Sequence, residues 1–223
     1  MKRCAVFSLV LAFSASAQAG LTGMSLGTGS PPTTLGPYTM TPFSADPQSY
    51  VTYVTSVASP LGGSVGLSPS LLHYAIGHGW TDWGQGYTGD IYYTGSYNVH
   101  SITLTLPADT GAFYLYAQPA MCFTVFNITA LASDGSTQVA VTNNFLASGG
   151  IPVAQGYAFW DTTGISSITL TIDSNYAWSI GEFGIAKLSS TPPTPSVPVP
   201  GALLLGALGA GAIGWLRMRR AFA

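Results

Sequence analysis

Between residues 20 and 188 the chain predicts an all-β fold, an antiparallel β-sandwich or jelly roll, on three observations. Ser101-Ile102-Thr103-Leu104-Thr105-Leu106 and Ser167-Ile168-Thr169-Leu170-Thr171-Ile172 alternate hydroxyl and aliphatic residues one by one. That period of two marks a strand with one buried face. Asp134-Gly135 stands between two apolar runs and reads as a hairpin turn. No part of the span carries a helical period. A body of about 170 residues is long enough to bury a sizeable core.

The elements follow in chain order. Residues 20–49 are rich in Gly, Pro and Thr and read as a mobile arm or an irregular edge. Strands are expected at 50–57, 91–93, 101–106, 113–117, 123–132, 138–142, 158–160, 167–172 and 183–188, each an apolar or aromatic run bounded by turn residues. Many short strands joined by turns favour a layered antiparallel fold.

Both ends of the chain read as targeting segments. Met1-Lys2-Arg3 precedes an apolar run, and Ala17-Gln18-Ala19 supplies a small-x-small step. Residues 1–19 thus form a signal peptide, with Ala17 and Ala19 at the peptidase site and Gly20 as the first mature residue. Residues 189–200 are a proline-rich extended linker. Residues 201–216 carry no charge and would span roughly 24 Å as a helix, short of a hydrocarbon core of about 30 Å but close enough with some thinning. Arg217, Arg219 and Arg220 close the chain in a 217–223 tail and belong on the cytoplasmic side.

A proline step (Val197-Pro198-Val199-Pro200), a short apolar helix and a terminal arginine cluster, in that order, resemble the PEP-CTERM sorting domain. Exosortases read that domain in Gram-negative bacteria. This copy is closer to the Val-Pro-Leu-Pro-Ala variant, with Val199 for leucine and Gly201 for alanine. The resemblance implies export, retention in inner-membrane lipid through the C-terminal helix, and processing by an exosortase-like enzyme. Delivery to the cell surface or the extracellular polysaccharide matrix would follow, the alternative being a permanent single-span anchor. Gly86-Tyr87-Thr88-Gly89 after Trp83, Thr105-Leu106-Pro107 and Gly181-Glu182-Phe183-Gly184-Ile185 are similar to stretches of ectodomains that precede such tails, a similarity that implies no particular activity.

Charge restricts the function classes. From Gly20 to Ser196 the single basic residue is Lys187, against eight acids, a net of −7. Such a surface cannot neutralise phosphates, so nucleic acid is excluded as a partner. Cys122 stands alone once Cys4 leaves with the signal, which excludes an internal disulfide framework.

The most informative stretch is aromatic. Tyr74, Trp80, Trp83, Tyr87, Tyr92, Tyr93 and Tyr97 crowd together among glycines. Rings stack on the C–H faces of sugars, and carboxylate or amide groups take the hydroxyls. Trp80, Asp82, Trp83, Gln85, Tyr87 and Asp90 are therefore the candidate carbohydrate-binding set. The alternative is that these rings pack the core. Gly62-Gly63-Ser64-Val65-Gly66 matches the nucleophile elbow of serine hydrolases, with Asp82 or Asp90 and His100 following in order. The motif, however, needs a strand before it and a helix after it. His73 and His78 lack the spacing of a zinc pair. Asp82, Asp90 and Asp134 are too dispersed for a dense calcium loop. The expectation is a non-enzymatic surface or matrix protein without cofactor or metal, structural or adhesive in role. Carbohydrate binding at 80–97 is the main alternative and Ser64 hydrolysis the remote one.

Overall fold

The computed structural model describes residues 20–120, 125–146 and 152–188. The expected signal peptide, linker, membrane helix and basic tail, and also Cys122, lie outside the described residues. What is described is all-β and antiparallel, with no helix. The strands are β1 (Thr22–Gly27), β2 (Thr34–Leu35), β3 (Tyr38–Thr39), β4 (Thr41–Pro42), β5 (Thr52–Ala58), β6 (Ser64–Ile76), β7 (Gly79–Trp80) and β8 (Asp90–Tyr93). They continue with β9 (Ser101–Thr105), β10 (Thr110–Pro119), β11 (Phe126–Ser133), β12 (Gln138–Phe145), β13 (Gln155–Trp160), β14 (Ser167–Ile172) and β15 (Trp178–Lys187). Ten of them form one hydrogen-bonded path, β1-β13-β10-β15-β8-β6-β9-β14-β11-β12. β5 adds to β6, β4 to β15, and β2 pairs with β3 in a separate ribbon. Only the short β6–β7 pairing is parallel.

The sheet doubles back at β6. Residues 66–68 of this strand pair with β9, and residues 72–74 pair with β8. The two halves of the path therefore face each other across one core. Val65, Ile102, Leu104, Ile128, Ile168 and Leu170 come from one half, and Leu71, Phe113, Leu115, Tyr157, Trp178 and Ile180 from the other. Period-two alternation sends these side chains inward and the threonines outward. Thr103 and Thr169 meet on the outside at 3.1 Å, as Thr129 and Thr142 do at 2.8 Å. At the far ends β1 lies beside β12, where Ser25 Oγ donates to Asn143 Oδ1 at 2.5 Å.

A second apolar cluster covers the outer side of β10, β13 and β15. Leu35, Tyr38 and Met40 from the 20–49 segment pack there with Trp83, Ile91, Tyr114 and Tyr116. β10 is buried along its whole length and β15 everywhere except Lys187. Residues 20–49 are thus not a mobile arm. β1 is the edge of the path, and the remainder roofs the sheet, tied by Tyr38 Oη to the Asp161 carbonyl and by Tyr116 Oη to the Gly29 carbonyl, both at 2.6 Å. β14 occupies the expected 167–172, and the hairpin at Asp134-Gly135 joins β11 to β12. β6, thirteen residues long, was not expected as a strand. Gly66 and Pro69 interrupt its alternation, although Val65, Leu67, Leu71, His73 and Ala75 all turn inward at odd positions.

Candidate functional site

β5, β6 and β8 lie side by side, with Tyr53 opposite Leu72 and Leu72 opposite Tyr93. Residues paired across antiparallel strands share a face. Tyr74, two positions on from Leu72, shares it too. β7 brings Trp80 alongside Ile76, next to these rings. The Trp80 ring centroid lies 5.3 Å from Tyr93 and 6.4 Å from Tyr74, and Tyr74 and Tyr93 are 6.0 Å apart. All three are half-buried. Tyr53 and Tyr97 complete the face, 61% and 55% exposed. Burial first, then the neighbouring phenols of Tyr97, Tyr74 and Tyr53, pushes the Tyr93 hydroxyl above its ordinary pKa.

The platform is held from beneath. Trp80 Nε1 donates to Gln118 Oε1 at 2.8 Å, and the Gln118 amide nitrogen donates to the Pro152 carbonyl. Gln118 is fully buried, so it fixes the indole with both halves of its amide. Gly79 makes the close approach possible. Its φ is +93°, and a Cβ there would fall 2.1 Å from Tyr74 Cδ1. A hollow of about 270 Å³ opens between Tyr74, Trp80, Thr81 and Tyr93.

The sequence set divides on this geometry. Trp80 stands on the open face, and Asp82 is exposed, its Oδ1 accepting the Gly84 N–H at 3.3 Å. Trp83, 1% exposed, is core, and its Nε1 donates to Glu182 Oε2 at 3.0 Å. No sugar can stack on it. Asp90 is buried as well. Its Oδ1 lies 3.0 Å from His73 Nε2 and its Oδ2 accepts the Asp46 N–H at 2.6 Å, so both oxygens are occupied. Gln85 turns inward and donates to the carbonyls of Thr28 and Ala154 at 2.8 and 3.1 Å. Tyr87 is half-buried, its hydroxyl donating to the Asp90 carbonyl at 3.0 Å. Tyr92 stacks on Phe183 inside, its ring 6° from parallel. Strand parity is the reason: Tyr92 and Tyr93 are neighbours on β8 and must face opposite ways.

Ser64 is the first residue of β6 and is followed by strand, so the strand–turn–helix setting of a nucleophile elbow is missing around it. His73 is buried at the Asp90 pair, between the rings of Tyr50 and Tyr92. Among the described residues no group of three His, Cys, Asp or Glu is arranged to hold a metal, and Asp82, Asp90 and Asp134 have separate surroundings. Tyr53 and Gln118 were not legible as site residues, because only strand pairing brings them to Trp80.

Fold and site together define a class: an antiparallel all-β body with an open ring-lined face and, between Gly20 and Ser196, a single lysine and no arginine. No protein-family model matches the chain, and no curated protein is similar to it.

Proposed function

We propose that the chain is an exported, non-enzymatic surface or matrix protein. Its β-sandwich binds polysaccharide through Tyr53, Tyr74, Trp80, Tyr93 and Tyr97. One observation carries this reading. Five rings from β5, β6, β7, β8 and the following loop share one open face, and a buried glutamine fixes the indole beside Tyr93. Rigid, half-exposed rings offer flat apolar area without an ordering penalty. Phenol hydroxyls and Thr81 are at hand for sugar hydroxyls. The export half of the proposal rests on residues 1–19 and on the 189–223 tail. An exosortase-like enzyme would act there at Val197-Pro198-Val199-Pro200, before the arginines 217, 219 and 220.

Affinity electrophoresis against a panel of neutral polysaccharides tests the ring face. Trp80→Ala and Tyr93→Ala should each weaken retention by about two- to tenfold, the size of one lost stacking contact. Val125→Ala, at an exposed apolar residue just before β11, should leave retention unchanged. Retention that survives in folded Trp80→Ala, or that no glycan produces, sinks the ring face. Intact mass from the native host tests the export half. The expected species begins at Gly20 and ends near Pro200, and a chain with both ends intact overturns it.

A further inference from the structure

Glu182 is the most unusual side chain of the described body. It sits in β15 at an irregularity of the β10–β15 ladder, where Gly184 pairs with Tyr114 and Gly181 with Tyr116. Two residues of β15 therefore stand against one of β10, which is a β-bulge. Glu182 takes a left-handed φ of +51° there. Without the extra residue, alternation would aim this carboxylate into the main core. With it, Glu182 turns to the outer cluster, while Phe183 and Ile185 still point inward. Bulges that re-aim a side chain are frequent next to binding sites.

Glu182 lines two adjoining hollows of about 250 and 240 Å³, together with Phe43, Tyr87 and Phe183. Tyr114 walls the first, its ring crossing Gly184 so closely that a Cβ would fall 2.1 Å from Cε1. Trp83 holds one carboxylate oxygen, Oε2. Glu182 is 8% exposed, and the described body offers it no cation: Lys187 lies at the far end of β15, and His73 is paired with Asp90. Burial pushes the Glu182 pKa up to about 7, against the lowering effect of the Trp83 hydrogen bond. A buried acid with no internal counter-charge either keeps its proton or takes a cation from outside. Aromatic walls around one carboxylate suit an ammonium group, whose charge is attracted both to the carboxylate and to the ring faces.

We propose that this cleft is a binding site for a small organic cation, its ammonium group held between the Glu182 carboxylate and the rings of Tyr87 and Tyr114. The site is separate from the ring face over β5, β6 and β8, and each can fail without the other. A free quaternary ammonium compound and the amine of a deacetylated amino sugar share the chemistry required.

Titration calorimetry on the full-length chain in detergent, near neutral pH, where the Glu182 carboxylate and an amino-sugar ammonium are both substantially charged, separates the two sources. Choline and its uncharged carbon isostere form one pair of probes, glucosamine and N-acetylglucosamine the other. In at least one pair the cation should bind at least about tenfold more tightly than its neutral partner. Glu182→Gln keeps an oxygen for the Trp83 N–H and should remove that preference. Binding by choline alone assigns the site to methylated ammonium ions, and binding by glucosamine alone to a glycan amine. If neither cation binds, if the neutral partners bind equally well, or if folded Glu182→Gln keeps the preference, the proposal is overturned. The charged-against-neutral comparison needs no variant, so it decides even if Glu182→Gln does not fold.

Discussion

Glu182 also sets a pH dependence that can be read at the level of one residue. Its ordinary pKa is 4.5, and burial raises it to about 7 in the folded protein. Between those values the folded chain holds a proton that the unfolded chain has released. Raising the pH across this window therefore favours unfolding, and the contribution is full below 4.5 and gone above about 7. Denaturant midpoints across that range should fall with rising pH in the wild type. The same curve for Glu182→Gln should lack that component, while the titrations of the other acids cancel in the difference. Two superimposable profiles would show that the carboxyl is hydrated like an exposed one. Nothing in the sequence marked Glu182 as buried. A lone acid in Gly181-Glu182-Phe183-Gly184-Ile185 reads as a surface residue until the bulge is known. The ring cluster was legible as a cluster, and Trp80 as a member of its open face. Trp83 and Asp90 were not separable from it, because their burial depends on the roof formed by residues far away in the chain.

At the scale of elements, β15 shows how small residues shape the cleft. Gly184 lies opposite Tyr114, and the phenol ring lies across the strand where a side chain would stand. Gly184→Ala would place Cβ 2.1 Å from Tyr114 Cε1, and the ring must then leave its place in the second apolar cluster. Overpacking of this kind costs about 1–3 kcal/mol. Thermal unfolding should report the loss, and a fluorescence change of Trp83 should accompany it, since that indole belongs to the same cluster. An unchanged melting temperature would mean that Tyr114 has another low-energy seat. The strand pattern explains what could be read beforehand. β9 and β14 have one wet face, so their alternation is plain in Ser101–Thr105 and Ser167–Ile172. β10 and β15 are covered on both sides and lose the alternation, so only parts of them stood out at 113–117 and 183–188. β6 changes partners midway, and its Pro69 broke the pattern at the place where the sheet doubles back.

The body between Gly20 and Ser196 carries a net of −7, with one lysine and no arginine. A surface so poor in cations has little to offer an anionic polymer, and its own charge repels one. Stacking on rings and hydrogen bonding to neutral hydroxyls are local contacts that ions in solution hardly screen. Retention of a neutral polysaccharide by the ring face should therefore change by no more than about twofold between about 0.05 and 0.5 M sodium chloride. An anionic polysaccharide should be retained weakly at low salt and gain as salt screens the repulsion. Affinity electrophoresis at the two ionic strengths distinguishes these behaviours. A steep fall in retention with salt would mean that charge pairs carry the contact. Lys187 is the one lysine or arginine the body could contribute, and it lies on β15 beyond the pairing of that strand with β8. Such a fall would therefore move the binding surface off the rings altogether. A flat response together with loss in Trp80→Ala would tie retention to aromatic area, the one resource this nearly charge-free face has in quantity.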